Sequence, residues 1–269
     1  MSWTITPNWS PADADAAAYI TAVETADGQA LENGVKVAID NFVLGCKQDG
    51  IWTAIKASCI LAGARTLAGC LVPLVGTAPT NNNFVAGDYN RKTGLVGDGS
   101  SKYLSSNRTN NADPQNSKHL SVYVTTVATS GASNYPEYIG DDINGISKSG
   151  TTHIGRLNNN SSTLFVRCQG TEPSGGYDSL LNSGSATGFI AINRANASGF
   201  DGRANSITTS FTKASSAPTS GNISVFYGNI SGTYANARIA FYSIGTSLDL
   251  ALLDTRVTTL MNAFAAAIP

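Results

Sequence analysis

An antiparallel β-sandwich, preceded by a short helical segment and closed by a C-terminal helix, is the fold class predicted by this 269-residue sequence. Three observations predict it. Several short stretches alternate apolar and polar residues and are separated by polar, turn-forming connections, as the strands of a sandwich are. Gly, Asn, Ser and Thr stand where many proteins carry Lys and Glu, and charged residues are 13% of the chain, a balance that suits strands joined by polar turns. Apolar residues at helical spacing gather near the two ends of the chain. At this length, one main domain with an appended helical segment accounts for the whole.

From Ala12 to Asp27 the chain is alanine-rich, with Tyr19, Ile20 and Val23 on one face, and Asp27-Gly28 stops the helix. Leu31, Val35, Ala38, Ile39, Phe42 and Val43 repeat at helical spacing to Gly45. Ile51, Ile55 and Cys59 continue that spacing towards Gly63, so two further helices are expected. These define a helical arm over 1–66 and a sandwich over 67–269. Within the sandwich, Lys118–Thr126, Thr163–Cys168, Gly188–Asn193, Ser206–Phe211, Ile223–Tyr227 and Arg238–Tyr242 read as strands. Asp201-Gly202 is a tight-turn signal, because glycine supplies positive φ, and it predicts a hairpin centred there. Asp249 is an N-cap ahead of Leu253, Val257, Leu260, Met261 and Phe264, so a closing helix is expected over 249–267. The absence of a repeat of 20 to 50 residues argues against a solenoid or propeller.

The segment Gly94-Leu95-Val96-Gly97-Asp98-Gly99-Ser100-Ser101-Lys102-Tyr103-Leu104, paired with Ala240-Phe241-Tyr242-Ser243-Ile244-Gly245-Thr246-Ser247-Leu248, resembles laminin G-like, concanavalin-like domains. Asp27-Gly28-Gln29-Ala30-Leu31, Asp49-Gly50-Ile51-Trp52 and Leu61-Ala62-Gly63-Ala64-Arg65-Thr66-Leu67-Ala68-Gly69 are similar to a lead-in found on bacteriophage structural proteins. The first resemblance implies a concanavalin-like jelly roll. The second implies an outward-facing virion component on tail, fibre or capsid surface, folded in the host cytoplasm before assembly. Its implied partners are other virion proteins and copies of itself, since virion appendages are usually symmetric oligomers. Tyr19, Ile20, Val23, Leu31, Val35, Ile39 and Phe42 form more apolar stripe than isolated helices keep in water, so they are expected to meet a partner surface.

Several kinds of chemistry are disfavoured. A net charge of −1 leaves no broad basic surface to neutralise a phosphate backbone, so nucleic acid is not an expected partner. The longest apolar stretch, Cys59 to Val75, is broken by Arg65 and Pro73 and is too short to span a bilayer. The first residues show no basic region leading into an apolar run, so no secretory signal is expected. Cys46, Cys59, Cys70 and Cys168 lack metal-ligand or redox spacing and read as buried free thiols of a protein folded in a reducing compartment. His119 and His153 stand near no nucleophile motif and read as structural or surface residues. Gly97-Asp98-Gly99 lacks the ending of a phosphate loop.

A glycosidase needs two carboxylates across the scissile bond. Of the four glutamates, Glu24 and Glu32 lie in the arm, which leaves Glu137 and Glu172 without an E-x-D-x-E run; a non-enzymatic role is expected over a polysaccharide depolymerase. Asp141-Asp142-Ile143-Asn144-Gly145 offers oxygen ligands but lacks the full calcium-loop series, so it reads as an Asx-stabilised turn, and neither metal nor cofactor is expected. Tyr135, Tyr138 and Tyr177 fall in predicted loops, where flat aromatic faces beside Asp141, Asp142 and Asn144 suit a sugar ring. Recognition of a host surface glycan is therefore the alternative to a purely structural role in the particle.

Overall fold

The computed structural model describes residues 10–129, 135–142, 149–157, 163–171, 179–182, 187–228 and 233–269. The expected mainly β sandwich is present. Its first sheet runs β13 (Ile207–Thr212), β12 (Gly199–Ala204), β11 (Gly188–Arg194), β6 (Lys118–Thr126), β17 (Arg238–Gly245), β4 (Gly94–Val96) and β3 (Tyr89–Asn90), and β1 (Ile55–Ile60) also pairs with β17. The second runs β10 (Ser179–Asn182), β9 (Thr163–Cys168), β8 (Thr152–Arg156), β7 (Glu137–Asp141), β14 (Asn222–Val225), β5 (Tyr103–Thr109) and β2 (Thr80–Asn82). A short hairpin of β15 (Tyr227–Gly228) and β16 (Thr233–Tyr234) follows β14.

Register explains the core. In the second sheet Leu104, Val225, Ile139, Ile154 and Val166 lie side by side across five strands, all fully buried. In the first, Tyr242, Val122, Ile190 and Ala204 form one such row and Ile244, Leu120, Ile192 and Gly202 the next. Because strand side chains alternate faces, these rows point to one side, and the two sheets close on them in a single apolar cluster.

The opposite face of the first sheet is apolar as well. Ile60, Phe241, Tyr123 and Phe189 lie in one row, beside a row of small residues, Ser58, Ser243, Ser121 and Ala191. The helices α1 (Ala14–Asp27), α2 (Asn33–Gln48) and α4 (Leu250–Ala267), with the short α3 (Leu67–Cys70), supply its cover. Phe42 of α2 meets Phe241 edge-on, with ring centroids 5.8 Å apart. α2 and α4 pack on one another, and Arg256 clamps Asp49 with hydrogen bonds of 2.7 and 2.9 Å. Asp13 caps α1; Gly28 ends it at a φ of 68° and Asp249 caps α4, both as the sequence predicts.

Three expectations are corrected. Residues 55–60 form a strand: β1 pairs with β17 from Ile55 to Ile60, so residues assigned to the arm supply part of the sheet. The hairpin turn lies at Asn205-Ser206, both with positive φ, while Asp201 and Gly202 sit inside β12 opposite Ser210 and Thr209. Tyr19, Ile20, Val23, Leu31, Val35, Ile39 and Phe42 are buried within the chain's own core, so they are not a surface for a partner. The stripe does need cover, and this chain provides it. Asp27 fastens the end of α1 by accepting from the backbone N–H groups of Arg65 and Thr66, at 2.7 and 2.8 Å, and from the Thr66 hydroxyl. Arg91 reaches Glu32 at 3.0 and 2.6 Å. The four cysteines are buried free thiols, and burial pushes the Cys46, Cys59 and Cys168 thiols up to about 12.

His119 is structural. Its Nδ1 lies 2.6 Å from the Thr246 carbonyl, which can only accept, so Nδ1 carries the proton and Nε2 accepts from the Ser243 hydroxyl at 2.7 Å. Burial holds this imidazole at about 4, below its usual 6.5. The unfolded chain therefore takes up a proton first as pH falls, and stability present above pH 6.5 is lost between about 6.5 and 4. That change is expected to be on the order of 3 kcal/mol and to disappear in His119→Gln, measured by urea unfolding across that range. Phe42→Ala is expected to cost about 3–5 kcal/mol and to lower the melting of the whole chain in one transition, read by calorimetry.

Candidate functional site

One residue out of step from the second sheet's apolar row lies a polar one. Ser105, Ser224, Gly140, His153 and Arg167 are neighbours across β5, β14, β7, β8 and β9, and so project from the face that points away from the core. Ser224 is fully buried and His153 and Arg167 nearly so. Arg167 donates to the Thr151 hydroxyl at 2.8 Å.

Glu137 lies on this same face, fully buried, and two glycines make room for it. A Cβ on Gly140 would stand 2.5 Å from Glu137 Oε2 and 2.9 Å from the Cβ of His153, and one on Gly228 would overlap the Glu137 carboxylate. The β15–β16 hairpin thus closes over the acid, with the Thr233 hydroxyl 3.5 Å from Oε1. A carboxylate enclosed in this way can hold its neighbours in place but does not reach a leaving group in solvent.

Aromatic rings flank the polar row at both ends. At one, Tyr135 meets Phe165 edge-on at 6.3 Å, and His153 meets the same ring at 5.4 Å. At the other, Tyr103 of β5, Tyr227 of β15 and Tyr234 of β16 are in mutual contact, with centroids 5.3, 6.1 and 4.7 Å apart, and all three are half-buried. Burial, then the neighbouring Tyr234, Asp142, Glu137 and Tyr103, raises the Tyr227 phenol above its usual range.

The structure sorts the predicted site residues. Tyr135 and Asp142 are half-buried, and Asp142 donates its backbone N–H to Asn222 at 2.8 Å. Burial raises the Asp142 carboxyl. Tyr138 is corrected: it is fully buried in the core, which pushes its phenol up to about 12, so it offers no face to a ligand. Asp141 is corrected likewise, since it is fully buried and accepts from the Asn110 amide at 3.1 Å and from the Thr219 hydroxyl. Asn144 and Tyr177 lie outside the described residues, as does Glu172. The tyrosine trio was missed because Tyr103 stands more than 120 residues from Tyr227 and Tyr234; the single usable signal was Tyr103 inside the segment that resembles laminin G-like domains.

A concavity of about 530 Å³ lies between α1 and the chain around Pro73–Val75, with Trp52 on its wall. The Trp52 indole donates to Asp15 at 3.1 Å, and Lys47 stands 5.7 Å from its ring centroid while bridging Asp13 and Asp15.

Comparison places the fold. The crystal structure of the botulinum neurotoxin serotype D binding domain superposes on 77% of this chain and 51% of its own, with a TM-score of 0.51 and 11% identity. The same domain in complex with N-acetylneuraminic acid matches at a TM-score of 0.45 and 10% identity, over 77% of this chain and 50% of that one. A Trypanosoma rangeli sialidase matches at 0.46 and 9%, over 78% and 33%. The chain thus has the β-sandwich fold of the serotype D binding domain, and it spans about half the length of that domain. No protein-family model and no curated protein matches the chain.

If Glu137 occupies the space that glycine leaves at Gly140, Gly140→Ala should destabilise the protein by about 1–3 kcal/mol, read by denaturant unfolding.

Proposed function

We propose that this chain is a non-enzymatic, lectin-like module that binds a surface glycan on the outward face of the second sheet, at Tyr103, Tyr227 and Tyr234. The tyrosine trio carries the reading. Three rings from three strands lock one another in place yet remain half-exposed. Such a cluster presents apolar area about the size of a sugar ring, with phenol hydroxyls at its margin. Because the rings are already ordered, binding loses little side-chain entropy. The shared fold with a neurotoxin binding domain supports a binding role over a catalytic one.

The lead-in that resembles bacteriophage structural proteins supports a virion as the setting, with the module facing outward and other virion proteins beside it. In this reading attachment uses exposed residues, because the apolar stripe of α1 and α2 is spent on the core.

The test is titration calorimetry against surface polysaccharide of the host. The protein is expected to bind, and Tyr227→Ala and Tyr103→Ala are each expected to weaken binding at least about tenfold, near 1.4 kcal/mol, with unchanged circular dichroism. Absence of binding at millimolar sugar, or release of reducing ends by the protein, would contradict the proposal.

A further inference from the structure

Among the described residues, the first sheet ends in an edge that is unusually bare. β13 is its last strand and pairs with β12 without a bulge, from Ala204 opposite Ile207 to Gly199 opposite Thr212. Its sequence, Ile-Thr-Thr-Ser-Phe-Thr, has no charge and no proline, and three of its six residues are threonine. Five residues are exposed and Phe211 is half-buried, and Ile207 is 63% exposed. Natural sheets protect long edges with lysine, proline, bulges or covering loops. Of the other sheet ends among the described residues, β3 has two residues, β2 three and β10 four, while β1, also of six, is covered by the chain at Leu74 and Val75, which exchange backbone hydrogen bonds with Ser58.

We infer that β13 pairs antiparallel with β13 of a second copy, joining two first sheets into one across a twofold axis. The hairpin dictates which groups are available. Ala204 and Ile207 flank a two-residue turn with positive φ at Asn205 and Ser206. The peptide groups of Ile207, Thr209 and Phe211 therefore face β12, and those of Thr208, Ser210 and Thr212 face outward. Outward groups must oppose outward groups, which restricts a twofold pairing to axes through a residue.

Side chains select among those axes. Ile207, Thr209 and Phe211 share a face with Ala204, Gly202 and Phe200. An axis at Thr209 sets Ile207 across from Phe211 of the second copy, twice by symmetry, and sets Thr208 in hydrogen-bonded register with Ser210 of that copy. This register covers the exposed isoleucine, and apolar cross-strand pairs are what fix register in antiparallel sheets. Charge does not oppose it: Arg203, beside the edge, is paired with Asp254 at 2.9 Å, and the chain carries a net charge of −1.

Six residues span about 20 Å, so one edge-to-edge contact buries less than the roughly 1,200 Å² of a standard stable interface. The dimer is accordingly weak and reversible. It doubles the number of binding faces, which strengthens attachment to a repetitive surface whatever the ligand is.

Sedimentation velocity of the full chain from micromolar to millimolar concentration tests this. The expected result is a monomer–dimer equilibrium that Ser210→Pro abolishes, since proline removes an outward N–H that β12 does not use, with the melting temperature kept within a few degrees. Independently of that variant's folding, Thr209→Cys should give a disulfide-linked dimer on mild oxidation, and Thr208→Cys should not, because Thr208 opposes Ser210. A monomer at every concentration, a dimer unaffected by Ser210→Pro, or equal cross-linking by both cysteine variants would overturn the inference.

Discussion

The row Ile60, Phe241, Tyr123 and Phe189 on the outer face of the first sheet is apolar and requires cover, and the rest of the structure depends on how it is covered. Removing each such side chain from water stabilises the fold by about 1.5–3 kcal/mol, so a sheet apolar on both faces needs a third layer. α2 and α4 are that layer. The adjacent row of Ser58, Ser243, Ser121 and Ala191 keeps the surface low enough for helices to approach. The two ends of the chain are thereby packed together, and Arg256 on Asp49 joins them directly.

β17 is the strand through which these demands meet. It hydrogen-bonds β6 along one side and both β1 and β4 along the other, while Phe241 faces the helices and Tyr242 the core. In the proposed function, recognition falls to the outward face of the second sheet. There the polar row is fixed by register, Glu137 is enclosed beneath the β15–β16 hairpin, and the tyrosine trio is presented by the same hairpin together with β5.

The sandwich was legible in the sequence where a single periodicity dominated. β6 and β9 have the bounds read from alternation, and α4 the start set by Asp249 and its stripe. β1 was not legible, because Ile55 and Cys59 stand four residues apart and a strand buried on both faces also satisfies helical spacing. Asp201-Gly202 carries the composition of a turn, yet it lies within the ladder, and Asn205-Ser206 takes the positive φ instead. The stripe of Tyr19 to Phe42 announced that a surface must cover it; pattern alone does not say whether that surface belongs to the same chain. The candidate site was the least legible part. Tyr138 and Asp141 carry the right chemistry but are buried, while sheet topology brings Tyr103 to Tyr227 and Tyr234, which face each other across the β15–β16 hairpin.

The N-terminal helices are a layer of the sandwich and not an arm attached to it. Native-state hydrogen exchange tests it most directly, by comparing the amides of Val35 to Phe42 in α2 with those of β17. Both sets are expected to open with the same free energy as global unfolding. Exchange of α2 at a free energy lower by about 2 kcal/mol or more, with β17 still protected, would contradict it.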